Sequence, residues 1–329
     1  MKKSQFSTEN KTDTQDRIIC STVPDEAEGV RLDLYLAARF TYRSRTAWQQ
    51  CIRSGEILLN GRKTHASRGL HAGEKIELIF PADAVAEPEV RTDFSIIAQT
   101  PDWIAVDKCG DLPVHPSGRY FNNTLQRLLQ TQLGYDVFPV NRLDRETSGI
   151  TLFARSGKAA GLLSALFQEK ENGKIRKVYS ALVYGDFPDE LSAAGFLCDD
   201  KDSPVMKKRK FVRELSGSEE DAVTCETHFR CLKKQDGFSL VECVPRTGRL
   251  HQIRATLCSL GFPLAGDKMY GPDDNIFIRF IEGNMTGADR DLLRMERQAL
   301  HARELHFISP FDDTPVSLVC PVPEDFLIR

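Results

Sequence analysis

The sequence is poor in the features that assign a protein quickly. No apolar run among its 329 residues approaches the roughly 20 residues that cross a membrane. The polar start MKKSQFSTENKTDTQD has no apolar stretch behind its lysines, so it does not read as a secretory signal. Nine cysteines are scattered without one CxxC pair, which sets aside the common zinc and redox motifs. A glycine-rich nucleotide loop, a ligand cluster and a repeat of solenoid period are all missing. Net charge is only -3, so the chain as a whole is not a polycation for nucleic acid.

What is present is a globular composition, 41% hydrophobic and 28% charged, on a chain long enough for about two domains. These features predict a cytoplasmic, monomeric protein with reduced thiols, no membrane segment and no obligate protein partner. Residues 1–16 read as a disordered polar lead.

Charge is not evenly spread. Between Arg31 and Phe80 nine basic residues face four acidic ones, a local charge of +5. RLDLYLAARF puts Leu32, Leu36 and Phe40 on one helical face, and SRTAWQQCIRSG reads as a second helix capped by Ser44 and stopped at Gly55. EILLNGRK is a strand running into Asn60-Gly61, a hairpin signal because both residues tolerate positive φ. EKIELIF alternates as a further strand and ends at Pro81. A helix pair, a small hairpin and arginines on the helices resemble the S4 RNA-binding domain. We therefore take residues 17–80 as a small S4-like α/β domain, with Arg43, Arg45 and Arg53 as phosphate contacts; a solvated basic face is the alternative.

Residues 81–92 carry prolines and alanines without periodicity and read as a linker. From 93 to 329 strands and helices are interspersed. WIAVDK, GITLFARS, KVYSALVYG, FSLVECV and ARELHF read as strands, the second of them starting at Ile150 after a Thr147-Ser148-Gly149 turn. NTLQRLLQTQL, KAAGLLSALFQ and QIRATLCSL read as helices, with Leu125, Leu128, Leu129 and Leu133 on the buried stripe of the first and Leu162, Leu163, Leu166 and Phe167 on that of the second. Several strands alternate polar with apolar, unlike an all-parallel sheet. The expected class is α+β with a mixed, largely antiparallel sheet. KKRK at Lys207–Lys210, beside ELSGSEED, reads as a mobile surface loop, with an RNA contact as the alternative.

Three stretches carry chemistry: VNRLDRETSGITLFARS, with Asp144 between two arginines; RKVYSALV, with Tyr179 in an apolar strand; and PRTGRLHQIRATLCSLGFPLAGDKMYG, which crowds Arg246, Arg249, His251 and Arg254 around a helix start. Together with DLPVHPSG before them and RQALHARELHF after them, they are similar to the RluA-type family of RNA pseudouridine synthases, from about Asp93 to the C-terminus.

The resemblance implies isomerisation of uridine in RNA, with the C1′–N1 bond broken and a C1′–C5 bond made. It places Asp144 at the essential aspartate, where a carboxylate answers positive charge developing at C1′ by bonding to that carbon or by removing a proton beside it. Arg254 is then the cation that keeps Asp144 ionised in a closed pocket. Tyr179 is the tyrosine that lies against the base and takes part in removing the C5 proton. The uridine must leave its stack to reach these groups, and Arg142 stands where a wedge or a phosphate contact is needed. Arg249, His251 and Gln252 are further RNA-binding candidates, the last two with a structural role at the helix start as the alternative.

Two positions depart from the family pattern: Asn141 and Thr256 stand where histidines are usual. A redox-neutral isomerisation implies neither a metal nor a redox cofactor. The expected partner is RNA, ribosomal RNA first and transfer RNA second. A catalytically weakened RNA-binding or assembly factor is the competing reading, and a glycoside or nucleoside hydrolase, which normally needs a second carboxylate, is a third.

Overall fold

The structure is a computed structural model that describes residues 17–39, 45–80, 87–117, 120–168, 174–205, 208–217, 219 and 221–326. The lead 1–16, Phe40, Arg43, Ser44, residues 81–86 and Lys207 lie outside them. The chain divides into two compact units, Met1–Ala86 and Glu87–Arg329.

The first unit runs β1 (Arg17–Thr22), α1 (Leu32–Arg39), α2 (Arg45–Ser54), β2 (Ile57–Leu59), β3 (Arg62–Lys63) and β4 (Lys75–Phe80). Its strands form an antiparallel sheet ordered β1-β4-β2-β3. The β2–β3 turn has φ 52° at Asn60 and 75° at Gly61, the left-handed pair that the Asn-Gly dipeptide supplies. Leu32 and Leu36 of α1 and Trp48 and Ile52 of α2 bury against Ile57 and Leu70, so the helical spacing becomes a core. Strand β1 escaped the sequence reading; it pairs with β4 along its whole length. Asp33 is fully buried between the helices, where it accepts from Arg31 at 3.1 Å, Arg45 at 3.0 Å and Gln49 at 2.7 Å. Those donors hold its carboxyl far below the usual range against the cost of burial.

The second unit contains β5 (Phe94–Gln99), β6 (Trp103–Lys108), α3 (Leu125–Leu133), β7 (Phe138–Pro139), β8 (Ser148–Ala154), α4 (Gly157–Gln168), β9 (Ile175–Tyr184), β10 (Glu190–Asp199), β11 (Arg209–Val212), β12 (Val223–Gln235), β13 (Phe238–Pro245), α5 (Gln252–Ser259), α6 (Asn275–Glu282), α7 (Gly287–Leu293), β14 (Leu300–Ile308) and β15 (Pro315–Val319). The described strands form one sheet ordered β11-β10-β12-β13-β9-β14-β8-β6-β5, with β15 on β14 and β7 on β8. Only β8 and β14 run parallel among the described pairs, so the unit is α+β with a mixed, largely antiparallel sheet. No described helix is long and apolar enough to cross a membrane.

Four particulars correct the sequence reading. The strand after Asp144 begins at Ser148 rather than Ile150, because Ser148 and Gly149 already pair with His301 and Ala302 of β14. In α4 the buried stripe is Ala159, Leu163 and Leu166, at i, i+4 and i+7; Leu162, turned about 100° from Leu163, is exposed. The charge run at Lys208–Lys210 is no loop: Arg209 opens β11 and pairs with Asp199 and Asp221, while Lys208 is buried against Asp274. Within 81–92, Glu87 accepts the backbone N–H groups of Asn122 and Asn123 at 3.0 and 2.8 Å, so this end of the segment is tied into the second unit.

Candidate active site

Asp144 opens a tight turn, with the Thr147 N–H donating to its carbonyl at 3.1 Å, and the chain then enters β8, every residue of which is buried. Gly149 makes this entry possible. Its φ of 105° suits glycine, and a Cβ there would strike the Ala302 carbonyl of β14. The turn is held from beneath. Glu146 accepts from Lys268 at 2.9 and 3.0 Å and from the Gln298 N–H at 3.1 Å. Lys108, fully buried, donates to the carbonyls of Cys109 at 2.8 Å and Arg145 at 3.0 Å, and burial pulls its pKa down to about 7.

Arg254 reaches Asp144 from α5. Its Nη1 donates to Asp144 Oδ2 at 2.7 Å, while Nε and Nη2 form a fork on Asp267 at 2.7 and 2.9 Å. Asp267 is fully buried, and its Oδ1 also accepts the N–H groups of Met269 and Tyr270, each at 3.0 Å. The Tyr270 ring lies 4.9 Å from the guanidinium carbon. The fixed fork of an arginine is what lets one cation bridge two carboxylates.

Burial alone would raise the Asp144 carboxyl, but the Arg254 charge, then His251, and hydrogen bonds from Arg254 and Gln298 hold it below the usual carboxylate range. Gln298 donates to Oδ2 at 3.4 Å and to Thr147 Oγ1 at 2.5 Å. Asp144 Oδ1 accepts no hydrogen bond among the described residues; His251 Nε2 lies 3.8 Å from it.

His251 precedes α5 with φ 57°, an unusual left-handed non-glycine residue. Its Nδ1 lies 2.9 Å from the Tyr270 hydroxyl. That hydroxyl also accepts the Arg209 N–H at 3.1 Å, so Tyr270 links His251 to the start of β11. Burial and Arg254 lower the imidazole pKa, which keeps the ring neutral at pH 7.

One pocket is lined by Arg142, Asp144, Tyr179, Arg249, His251, Gln252 and Arg254, together with Lys177, Thr147 and Leu300. Seven residues from three separated stretches therefore meet. Their uses differ. Arg142 is exposed at the rim, with Nη1 3.5 Å from His115 Nε2. Arg249 donates Nε to the Thr224 carbonyl at 3.1 Å. Gln252 is not free for RNA: it is buried, its Nε2 donates to Glu226 O and Thr227 Oγ1 at 3.0 and 2.9 Å, and its Oε1 accepts from Thr247 Oγ1 and Arg249 N at 2.8 and 3.0 Å. All four of its hydrogen-bonding positions are filled by the loop it shapes. Burial and then Asp144 push the Tyr179 hydroxyl up to about 12, which disfavours a phenolate at neutral pH.

Asn141 accepts the Leu152 N–H at 2.7 Å and donates to the Ile150 carbonyl at 3.4 Å, which clamps the backbone of β8. Thr256 is buried inside α5, and its hydroxyl has no described partner. The sequence reading did not assign Asp267, Tyr270, Gln298 or Lys177. Asp267 and Tyr270 stand in GDKMYG and Gln298 in RQALHARELHF, both within the stretches that carry the resemblance. In the first unit Arg45 is committed to Asp33, and Arg53 is exposed.

A mixed sheet thus brings an ionised aspartate, a buried arginine and a neutral tyrosine to one pocket. Residues 102–259 match the family model described as RNA pseudouridylate synthase. The chain is 31% identical over 317 residues to ribosomal large subunit pseudouridine synthase D of Xylella fastidiosa, covering 93% of this chain and 89% of that one. It is 31% identical over 245 residues to the mitochondrial tRNA pseudouridine(32) synthase of Saccharomyces cerevisiae, covering 74% and 50%. Among solved structures, human RNA pseudouridylate synthase domain containing 1 superposes with a TM-score of 0.56 at 25% identity, covering 72% and 86%. The chain belongs to the RluA-type family of RNA pseudouridine synthases.

Proposed function

We propose that this pseudouridine synthase acts on flipped-out uridines of large-subunit ribosomal RNA, with Asp144 as the group that breaks the glycosidic bond. The observation that carries the assignment is the asymmetry of Asp144: Oδ2 is held by Arg254 at 2.7 Å, while Oδ1 is left without a hydrogen bond. An ionised carboxylate with one unengaged oxygen can bond to C1′ or take the proton beside it, and either route breaks the C1′–N1 bond and releases uracil from the sugar with the electron pair on N1. The freed base turns and C5 bonds to C1′ as the carboxylate leaves that carbon or returns the proton it took; the C5 proton leaves to solvent and N1 takes up a proton, so the product is an isomer of the substrate. Tyr179, protonated at neutral pH, offers a ring surface against the base. Arg142 at the rim fills the space the uridine leaves or holds the adjoining phosphate.

The ribosomal assignment is supported by the Xylella relative, which aligns with nearly all of both chains. We further assign residues 17–80 as an S4-like module that contributes phosphate contacts, Arg53 among them. The nine cysteines form no disulfide with one another, which suits a reducing compartment, and the assigned location is the cytoplasm. The test is tritium release from RNA labelled at uridine C5, with Asp144→Asn beside the wild type. Release from ribosomal RNA by the wild type alone is the expected result. Release from transfer RNA only would overturn the ribosomal assignment, and full turnover by Asp144→Asn would overturn the role of Asp144.

A further inference from the structure

A second cavity, of about 530 Å³, lies between α6, α7 and the Met295–Glu296 segment. That volume falls within the roughly 300–1,000 Å³ typical of small-ligand pockets. We propose that it is a second nucleotide site, which takes an unstacked nucleotide of the same RNA near the target uridine. The proposal rests on RNA being the substrate of this family and does not depend on which RNA it is.

The walls suit a nucleotide. Phe280, Met285, Leu293 and Met295 give an aromatic and thioether lining, the kind of surface on which an unstacked base rests. Arg290 and Arg294 also line the cavity, are exposed, and have no carboxylate within ion-pair distance among the described residues. Two unspent guanidinium groups at an apolar cavity match a base with its phosphate. Lys268 does not compete for that phosphate, because its ammonium donates to both oxygens of Glu146 and, at 2.6 Å, to the Glu296 carbonyl. The Glu296 side chain is the one acidic group in the lining, an acceptor for base N–H groups.

The cavity is also built rather than incidental. Arg279 ties α6 to Asp289 of α7 at 2.9 and 2.5 Å, Thr286 caps α7, and Tyr184 donates to the Leu292 and Leu293 carbonyls at 2.6 and 2.8 Å. It adjoins the reaction centre through two residues. The Phe280 ring lies 5.8 Å from the guanidinium carbon of Arg145 and 5.1 Å from Lys268 Nζ. Arg145 follows Asp144 and Lys268 follows Asp267, so a nucleotide against Phe280 sits beside both carboxylate-bearing loops.

The test uses the full chain and total RNA from cells lacking the enzyme, grown with 4-thiouridine, followed by ultraviolet crosslinking and peptide mapping. Crosslinks within 280–296, lost in a cavity-filling Met285→Trp variant, are expected. In parallel, Arg290→Ser/Arg294→Ser is expected to raise KM on the order of tenfold with kcat retained, and to flatten the salt slope by about 0.7 for the one lost single-strand phosphate contact. Both arginines are exposed and unpaired, so an unchanged melting curve separates this effect from misfolding. Crosslinks confined to the Asp144 pocket, or an unchanged KM and salt slope in the double variant, would overturn the proposal. Because the RNA pool contains every class, failure of the ribosomal assignment would appear separately, as crosslinks in 280–296 to another RNA.

Discussion

Replacing Asp267 with asparagine should damage the enzyme more broadly than replacing Asp144, although of the two only Asp144 lines the pocket. Asp267 is fully buried and its two oxygens accept four N–H groups, two from Arg254 and one each from Met269 and Tyr270. Asparagine has the same shape but turns one acceptor into a donor. Some pair of N–H groups must then face each other, and Arg254 loses its buried counter-charge. Removing one partner of a buried ion pair costs about 3–5 kcal/mol. At roughly 2–4 °C per kcal/mol for a unit of this size, the melting temperature of the second unit should fall by about 6–20 °C. Below that temperature Arg254 keeps only its single bond to Asp144, and the lost positioning should lower kcat by up to about a hundredfold. Asp144→Asn, by contrast, leaves the Arg254–Asp267 fork intact; it should melt within about 2 °C of wild type and show no turnover. Thermal unfolding by circular dichroism and tritium release from the same preparations measure both. An Asp267→Asn protein that melts with wild type and turns over normally would refute the reasoning.

Three further outcomes follow from the charges on the page. Because Asp144 is held below the usual carboxylate range, turnover should show no acid limb from this group between pH 8 and pH 5; an essential group titrating near pH 6, abolished in Asp144→Asn, would contradict this. Lys108 has its pKa lowered from 10.5 to about 7, so between those values the unfolded chain binds more protons and wild-type stability should rise with pH, by at most about 1.4 kcal/mol per unit; the wild type minus Lys108→Met difference in urea melts should climb from pH 7 to 9.5, and a flat difference would refute it. In the first unit, Arg53→Ser should weaken RNA binding and flatten its salt dependence with little loss of stability. Arg45→Ser should chiefly destabilise the unit by stripping a partner from buried Asp33, as equilibrium binding and melting of the two variants would show.

The parts of this fold legible in the sequence were those set by local spacing. Leu125 and Leu129, four apart, became the buried face of α3, and Thr124 caps that helix while Gly134 ends it with φ 75°. The same rule misled at Leu162, because a run of two leucines does not say which one turns inward. Helices α6 and α7 and the long strand β12 went unread, although Cys225, Thr227 and Phe229 alternate as buried positions along β12. The site was legible where the residues stand in recognisable runs. Its support was not: Gln298 meets Asp144 across 154 positions, and Lys268 meets Glu146 across 122. A lone aspartate between glycine and lysine reads as a turn residue, and nothing local marks Asp267 as the counter-charge of an arginine thirteen residues away.

That hidden carboxylate explains how Asp144 can be ionised and still reactive. If Arg254 gave its whole fork to Asp144, the carboxylate would be fully ionised and poorly nucleophilic, with both oxygens occupied. Asp267 instead takes two N–H groups of the guanidinium, and Asp144 receives one from Arg254 and a longer one from Gln298, both on Oδ2. Arg254 stays charged because two carboxylates surround it, and its field holds Asp144 ionised. With His251 neutral, Arg254, Asp144 and Asp267 together carry one net negative charge, which on the proposed mechanism would favour positive charge developing at C1′. Stability of the ion cluster rests on Asp267, and the proposed chemistry on the partly buried Asp144. This is why substitution at 267 and at 144 should separate loss of fold from loss of chemistry.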